Sequence, residues 1–330
     1  MKNPKISFII PVFNGEKFLP RLIDCLKKQT YQNIEIVFVD DTSYDNTPEI
    51  IQNFKATDNR VVYLRHDINQ GTFVSRASGL NICTGDYIAH IDADDKISEN
   101  FAEDVINTFQ KTKADMCLAE TMYVYPDGST KLVASCIKPE DNGVLKNGEG
   151  FDRFFKTHSC ITEDIYTWCK VISRKIYKQC KEDIETVVRD SKSPLSGGED
   201  LIYTAMFAIC SKKMVKCNTA YYYYYRHSEQ STCLNNIGKY KSQYSSACKT
   251  LNYIKLYLEK KKMFDKYSFD YDCWKQTYNL IMQQDAFRLG CEREYYKLAY
   301  EHQLIKKESA RTYSLKSEHK KKTSSQPDTV

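Results

Sequence analysis

Acidic side chains gather at three places in this chain. They are Asp40-Asp41 within the segment Val39 to Thr47, Asp92-Ala93-Asp94-Asp95, and Glu199-Asp200 directly after two glycines. Three carboxylates within four residues, as at Asp92, Asp94 and Asp95, repel one another and raise each other's pKa unless a cation or strong donors compensate. A divalent metal is the natural compensation. Hard oxygen ligands suit Mg²⁺ or Mn²⁺, which take one or two protein carboxylates and complete their shell with water and substrate phosphates, so the pattern points to a diphosphate ligand. Asp, Asn, Ser and Thr also cap helices and form turns for purely local reasons, and for Asp45 to Thr47 that reading serves as well.

The elements that must position these carboxylates read as an α/β alternation. The apolar run Ile6 to Val12 is a first strand. After Asn14-Gly15, the residues Phe18, Leu19, Leu22, Ile23 and Leu26 recur at helical spacing. Strands follow at Ile34 to Val39, Val61 to Leu64, Tyr87 to Ile91 and Met116 to Ala119, with helices from Thr47-Pro48, at Phe73 to Ile82 and at Phe101 to Phe109. Such alternation marks a parallel sheet covered by helices, in which ligands bind outside the carboxyl ends of the strands. Asp40-Asp41 and Asp92 to Asp95 stand at two of those ends, so both clusters are expected to face one crevice. The turn Tyr125 to Gly128 breaks the rhythm. The stretch from Pro139 to Gly150 is polar and loop-like, a Trp-containing run spans Ile165 to Ile172, and Tyr221 to Tyr225 reads as a half-buried strand. Lys239 to about Leu304 looks helical, and Lys316 to Val330 is charged, polar and expected to be disordered.

Composition excludes several classes. The chain has 330 residues, about twice a typical domain, with 42% hydrophobic and 28% charged residues, which argues against disorder and an integral membrane protein. The net charge of +5 is too small and scattered for a nucleic-acid footprint. No run approaches the ~20 apolar residues of a membrane span, and the N-terminus lacks a cleavable-leader pattern. No two of the 13 cysteines are spaced as paired zinc ligands, so thiols such as Cys25, Cys83 and Cys210 read as core residues in a reducing cytoplasm. Neither a P-loop nor a Gly-x-Gly-x-x-Gly fingerprint follows the first strand, which leaves any phosphates to metal and basic side chains.

Five motifs together carry a resemblance. They are Phe8 to Asn14, the Val-Asp-Asp-x-Ser-x-Asp-x-Thr segment ending at Thr47, Asn69-Gln70-Gly71 to Gly79, Gly85 to Ile88 leading into Asp92 to Asp95, and Gly198-Glu199-Asp200. In this order over roughly residues 5 to 232 the chain resembles family-2 glycosyltransferases, in particular those building bacterial capsule and lipooligosaccharide. The resemblance implies a GT-A fold, a Rossmann-like mixed, mostly parallel sheet flanked by helices, with a mainly helical C-terminal extension. It implies a transferase domain over 1–235, with a nucleotide-sugar half at 1–120 and an acceptor half at 121–235, then a helical region at 236–310 and a basic tail at 311–330.

The resemblance also implies roles. The Pro11, Val12, Phe13 and Asn14 segment and Asp41 would hold the base and ribose of a nucleotide-diphospho-sugar, most simply a UDP-sugar. Asp92 and Asp94 would be the Asp-x-Asp pair around Ala93, near the sugar and on a Mn²⁺ or Mg²⁺ ion. Arg76 would steady the acidic cluster or the diphosphate, its alternative being a structural ion pair. Arg226 and His227, followed by Gln230-Ser231-Thr232, resemble a segment closing over the diphosphate, with a solvated loop as the alternative. Asp200 is the candidate base, since an inverting transfer needs a carboxylate apart from the metal to take the acceptor's proton. Trp168, Lys170 and Glu199 fall on the acceptor side with Tyr166, a core tryptophan being the competing reading for Trp168.

The Gln-x-x-Arg-Trp motif of processive synthases is absent, so non-processive transfer is expected. The lysines at 260–262 and 320–322 suit either solvated faces or peripheral contact with the inner face of a membrane carrying a lipid-linked acceptor. A sugar nucleotidyltransferase and a non-catalytic nucleotide-sugar-binding protein are the rival readings.

Overall fold

The computed structural model describes residues 3–133, 137, 143–146, 149–156, 166–191, 194–195, 198–227 and 236–301. Along the chain, β1 (Ile6–Val12), α1 (Leu19–Lys27), β2 (Ile34–Asp40), α2 (Thr47–Thr57), β3 (Val61–Arg65), α3 (Gly71–Ile82), β4 (Tyr87–His90), β5 (Lys96–Ile97), α4 (Phe101–Thr112) and β6 (Met116–Val124) carry the expected alternation. Then come β7 (Thr130–Val133), β8 (Val144–Lys146), α5 (Glu149–Lys156), β9 (Lys170–Ser173), α6 (Arg174–Asp190), α7 (Glu199–Cys210) and β10 (Lys213–Tyr225). The helices α8 (Ile237–Lys260), α9 (Phe264–Arg288) and α10 (Glu292–Glu301) follow. Residues 1–230 and 231–330 form two compact units.

The first unit is built on one mixed sheet of order β3-β2-β1-β4-β9-β6-β10-β5, with β7 paired to β6 and β8 to β10. Strands β3, β2, β1 and β4 run parallel, and every residue of β1 and β2 is buried, as expected of strands covered on both faces. Strand β9 runs antiparallel between β4 and β6, and β10 lies parallel to β6. Helix α3 rides directly on the sheet: a β-carbon at Gly79 would fall within the Ile9 Cγ2 methyl. The carboxyl ends of β2 and β4 flank that of β1, so Asp41 and Asp92 emerge on either side of the Pro11–Asn14 segment.

The Tyr125-to-Gly128 turn ends the β/α rhythm: it joins β6, which continues to Val124, directly to antiparallel β7, and is closed by Tyr125 N donating to Ser129 O at 2.9 Å. The tyrosine block is the end of a 13-residue strand that begins at Lys213. Helix α6 was absent from the sequence reading. Its apolar residues Ile176, Tyr177, Cys180, Ile184 and Val187 nevertheless recur at helical spacing and are buried. Of the thiols expected in the core, Cys25 and Cys83 are buried and Cys210 is partly exposed.

The second unit packs α8, α9 and α10 around Tyr240, Tyr244, Met282, Ala286, Tyr295 and Ala299. Its phenols find partners, with Tyr240 Oη donating to Met282 O at 3.0 Å and Tyr244 Oη to Asn279 Oδ1 at 3.2 Å. Among the described residues no helix is long and apolar enough to cross a membrane. The Gln230-to-Thr232 segment and the tail expected to be disordered lie outside the described residues.

Candidate active site

The loops that follow β1 and β2 are cross-linked. Asn14, at φ 52°, follows β1, and Thr42, at φ 71°, follows β2. Asn14 N donates to Ser43 Oγ at 2.9 Å, and Tyr44 N donates back to Asn14 Oδ1 at 3.0 Å. Pro11 and Val12 are buried in the sheet, which leaves their backbone as their contribution, whereas the Phe13 ring is exposed and meets the Tyr44 ring edge-on at 5.8 Å.

Asp41 is buried, and its carboxylate is committed to local donors. Oδ1 takes His66 Nδ1 at 2.8 Å and Gln70 N at 2.9 Å, and Oδ2 takes Gly71 N at 2.7 Å. It therefore anchors the start of α3, where anionic charge is favoured. Asp40 is equally enclosed, accepting from Ser43 N, Tyr63 Oη and Arg65.

Helix α3 delivers Arg76 to the centre of the site. Its guanidinium is 1% exposed and bridges two carboxylates from distant stretches of chain: Nη2 to Asp92 Oδ1 at 2.8 Å and Nη1 to Asp200 Oδ1 at 2.7 Å. Glu199 Oε1 stands 3.7 Å away. A guanidinium presents its donors in a rigid fork, which is what two separate carboxylates require. Burial would lower the Arg76 pKa, but the charges of Asp200, Asp92 and Glu199 raise it above its ordinary value, so the residue stays cationic. Enclosure by protein pushes Asp92 up to about 6, with Arg76 opposing and Asp200 and Asp94 adding to the rise. Glu199 is pushed up to about 7 by burial and by the neighbouring Asp200 charge.

Asp200 opens α7 behind Gly198, whose φ is 77°. Its Oδ1 accepts from Arg76, Thr167 N at 3.3 Å and the Thr167 hydroxyl. Its Oδ2 has no hydrogen bond among the described residues, and the side chain is 17% exposed. One oxygen is clamped and the other is presented.

On the other side of the loop after β4, Asp94 Oδ2 lies 2.9 Å from His227 Nε2. The Phe18 ring backs the imidazole at 4.7 Å. Arg21 donates to Asp94 O, and its guanidinium sits 3.5 Å over the Tyr225 ring. Asp95 is fully buried, accepting from Tyr222 Oη at 2.7 Å and Tyr225 N at 2.9 Å, and burial holds its pKa well above the usual carboxylate range. Tyr222 Oη also receives Asp92 N at 3.1 Å, so one phenol braces the whole acidic loop.

Of the two carboxylates expected on a metal, Asp94 thus meets an imidazole and Asp92 meets a guanidinium. A carboxylate and an imidazole converging on one point form a donor set that fits a divalent ion such as Mn²⁺. Among the described residues no three His, Cys, Asp or Glu side chains are grouped to hold one, so the remaining ligands would be substrate phosphates and water. Ala93 lies partly exposed between the two aspartates, and Arg226 is exposed, its guanidinium 5.3 Å over the Tyr123 ring rather than on the acidic loop.

The acceptor-side expectation for Trp168 and Lys170 is corrected. Trp168 is 1% exposed and stacks on Tyr222 at 4.9 Å, Tyr166 at 4.8 Å and Tyr224 at 5.1 Å, so its faces belong to the core. Lys170 is also buried, its ammonium on the Tyr166 carbonyl. Both lie where the chain enters β9, a strand internal to the sheet. Sequence reasoning missed Thr167, Tyr222 and Arg21. Five consecutive tyrosines offer no alternation that would single out Tyr222, and a lone threonine or helix arginine carries no signal either.

The model of glycosyl transferase family 2 matches residues 7–181, more than half of the chain, and the chain belongs to this family. Among curated relatives it is 27% identical over 222 residues to glycosyltransferase GlyA of Streptococcus pneumoniae, covering 67% of this chain and 30% of GlyA. It is 33% identical over 95 residues to the GalNAc(5)-diNAcBac-PP-undecaprenol beta-1,3-glucosyltransferase of Campylobacter jejuni, covering 28% of this chain and 31% of that enzyme. The chain thus spans about a third of the length of each of these two relatives. The crystal structure of S. aureus TarS 1-349 in complex with UDP-GlcNAc superposes with a TM-score of 0.64 at 18% identity, over 90% of this chain and 80% of that one, which places the fold in the GT-A class.

Proposed function

We propose that the chain is a metal-dependent, inverting, non-processive glycosyltransferase that moves a sugar from a UDP-sugar to a hydroxyl of a glycan or lipid-linked acceptor in surface-glycan synthesis. The observation that carries the reading is the buried Arg76 bridge, which ties Asp92 of the acidic loop to Asp200 on α7 and so sets a candidate base beside the candidate donor site. Family membership, the UDP-GlcNAc complex of TarS and the lipid-linked acceptor named for the C. jejuni relative support the donor and acceptor classes.

In this reading the Pro11–Asn14 and Thr42–Tyr44 loops hold the nucleoside, with the exposed Phe13 and Tyr44 rings beside the base. Asp94 and His227 would hold a divalent ion, which when bound would supply charge stabilisation to the departing diphosphate. Arg76 holds Asp92 and Asp200 in place through its two nitrogens and opposes the rise in the Asp92 pKa that burial causes. Asp200 Oδ2 takes the proton of the acceptor hydroxyl as that oxygen attacks the anomeric carbon, while Oδ1 stays fixed by Thr167 and Arg76. Glu199, poised near neutrality by its surroundings, is the rival base.

Incubation with a UDP-sugar panel, Mn²⁺ and simple glycosides tests this. UDP release with glycoside formation is the expected result. Pyrophosphate chemistry would point instead to nucleotidyl transfer, and UDP-sugar binding without turnover to a non-catalytic binding protein.

A further inference from the structure

The first turn of α1 reaches both members of the Asp94–His227 pair. Phe18 and Arg21 stand three residues apart and so share one face of that turn. The Phe18 ring meets the His227 imidazole at 4.7 Å, while Arg21 donates from Nη2 to Asp94 O and sets its guanidinium 3.5 Å over the Tyr225 ring. Tyr225 N in turn donates to Asp95 Oδ1 at 2.9 Å, so the acidic loop and the end of β10 are joined to each other as well as to α1. Asp94 and His227 are 133 positions apart in the chain, and their 2.9 Å approach is set by what holds these two segments together.

Arg21 is poorly placed for the fold of its own helix. The first turn of a helix favours anionic side chains, and α1 has none there but carries this cation. Its Nε is buried with no hydrogen-bond partner among the described residues, a cost that an apolar side chain would not incur. The helix has no need of such an anchor, since Leu19, Leu22, Ile23, Cys25 and Leu26 already bury its inner face. A residue that breaks local rules with no gain to its own element points to a use elsewhere.

We infer that Arg21 is a positioning residue which, with Phe18 behind the imidazole, holds Asp94 and His227 ready to receive a divalent ion. That role presupposes the metal-dependent transfer proposed above. The Arg21 hydrogen bond goes to the backbone carbonyl of Asp94 rather than to its carboxylate, so the loop is fixed without consuming the oxygens that an ion would take. Arginine suits both contacts at once, because its planar fork stacks on a ring face while donating at its edge, which a lysine ammonium cannot do.

Titration of the full chain with Mn²⁺ in the presence of UDP, read by the electron paramagnetic resonance of the free ion, tests the role. Arg21→Met should weaken Mn²⁺ binding about 10–100-fold, the usual effect of removing a group that orients a metal ligand from behind. Its urea-unfolding midpoint should change little, because the buried Nε and the helix dipole offset what the hydrogen bond and the ring contact contribute. Arg21→Lys, still charged but without the planar fork, should weaken binding less, and Phe18→Leu should weaken it through His227. Turnover of Arg21→Met should recover as Mn²⁺ is raised, whereas that of Asp200→Asn should not. Wild-type Mn²⁺ affinity in Arg21→Met, or in Arg21→Lys should Arg21→Met unfold, overturns the role of Arg21 and leaves the metal-dependent reading standing. A wild-type chain that binds no Mn²⁺ with UDP overturns both.

Discussion

Asp41 and Asp92 stand at the carboxyl ends of the two strands that flank β1, each beside further carboxylates, yet the molecule uses them differently. Asp41 spends both oxygens on two backbone amides and an imidazole within 30 residues of itself, fixing a loop and the first turn of α3. Asp92 shares a buried guanidinium with a carboxylate 108 positions further along the chain, and its own proton affinity is raised by its surroundings. The first arrangement satisfies backbone donors and is complete without a ligand. The second holds several negative charges around one cation, a costly arrangement unless something else is brought to it. The two are also in series, because the helix that Asp41 anchors is the one that carries Arg76.

The contrast is broken most severely at Arg76. Arg76→Met leaves Asp92, Asp200 and Glu199 around an apolar side chain, and is expected to cost about 3–5 kcal/mol in urea unfolding and to abolish transfer. Arg76→Lys, a point charge without the fork, should recover stability more than turnover. Next in size, Asp200→Asn is expected to lower kcat by about 10²–10⁴-fold while UDP affinity by calorimetry stays within about twofold. If Glu199→Gln proves the more damaging of the two, the base is Glu199.

Asp41→Asn should behave in the opposite sense. It places an amide donor against backbone N–H groups and is expected to cost about 2 kcal/mol of stability, with turnover falling only as far as α3 shifts. Smallest is Glu35 on β2, a third buried carboxylate used in the manner of Asp41. It accepts from Ser7 Oγ at 2.6 Å, Thr84 N at 2.8 Å and Thr84 Oγ1 at 2.7 Å. Burial pushes its pKa up, but these hydrogen bonds outweigh burial and hold it below the usual range. Stability linked to it is therefore present above the unfolded carboxylate's pKa and is lost as pH falls through the lower folded value. Glu35→Gln should cost about 1 kcal/mol at neutral pH and flatten the acid limb of a stability–pH curve.

The parallel half of the sheet was legible because β1 to β4 are short apolar runs separated by helices with clear three- and four-residue spacing. The antiparallel half was less so. Strand β9 is four residues long and hides behind a Trp-containing run, β5 has two residues, and β10 changes register against β6 between Cys217 and Tyr221. Sequence motifs singled out Asp92, Asp94 and Asp200, which the structure sets on Arg76 and His227, but Val-Asp-Asp and Asp-Ala-Asp-Asp read alike until their donors are known. Trp168 shows the converse: an aromatic beside a candidate site resembles a sugar platform until its faces are seen to be covered.

One turn beyond Arg76, Gly79 meets Ile9 with no room for a β-carbon. The height at which α3 rides above the sheet is therefore gauged by a missing methyl group, and that height sets how far the guanidinium reaches. A single carbon added there, in apolar surroundings and with no change of charge anywhere, would act as a shim that lifts the cation off both anions at once. The acidity of the pocket is thus open to adjustment by core volume alone, through positions no survey of ionisable residues would pick out.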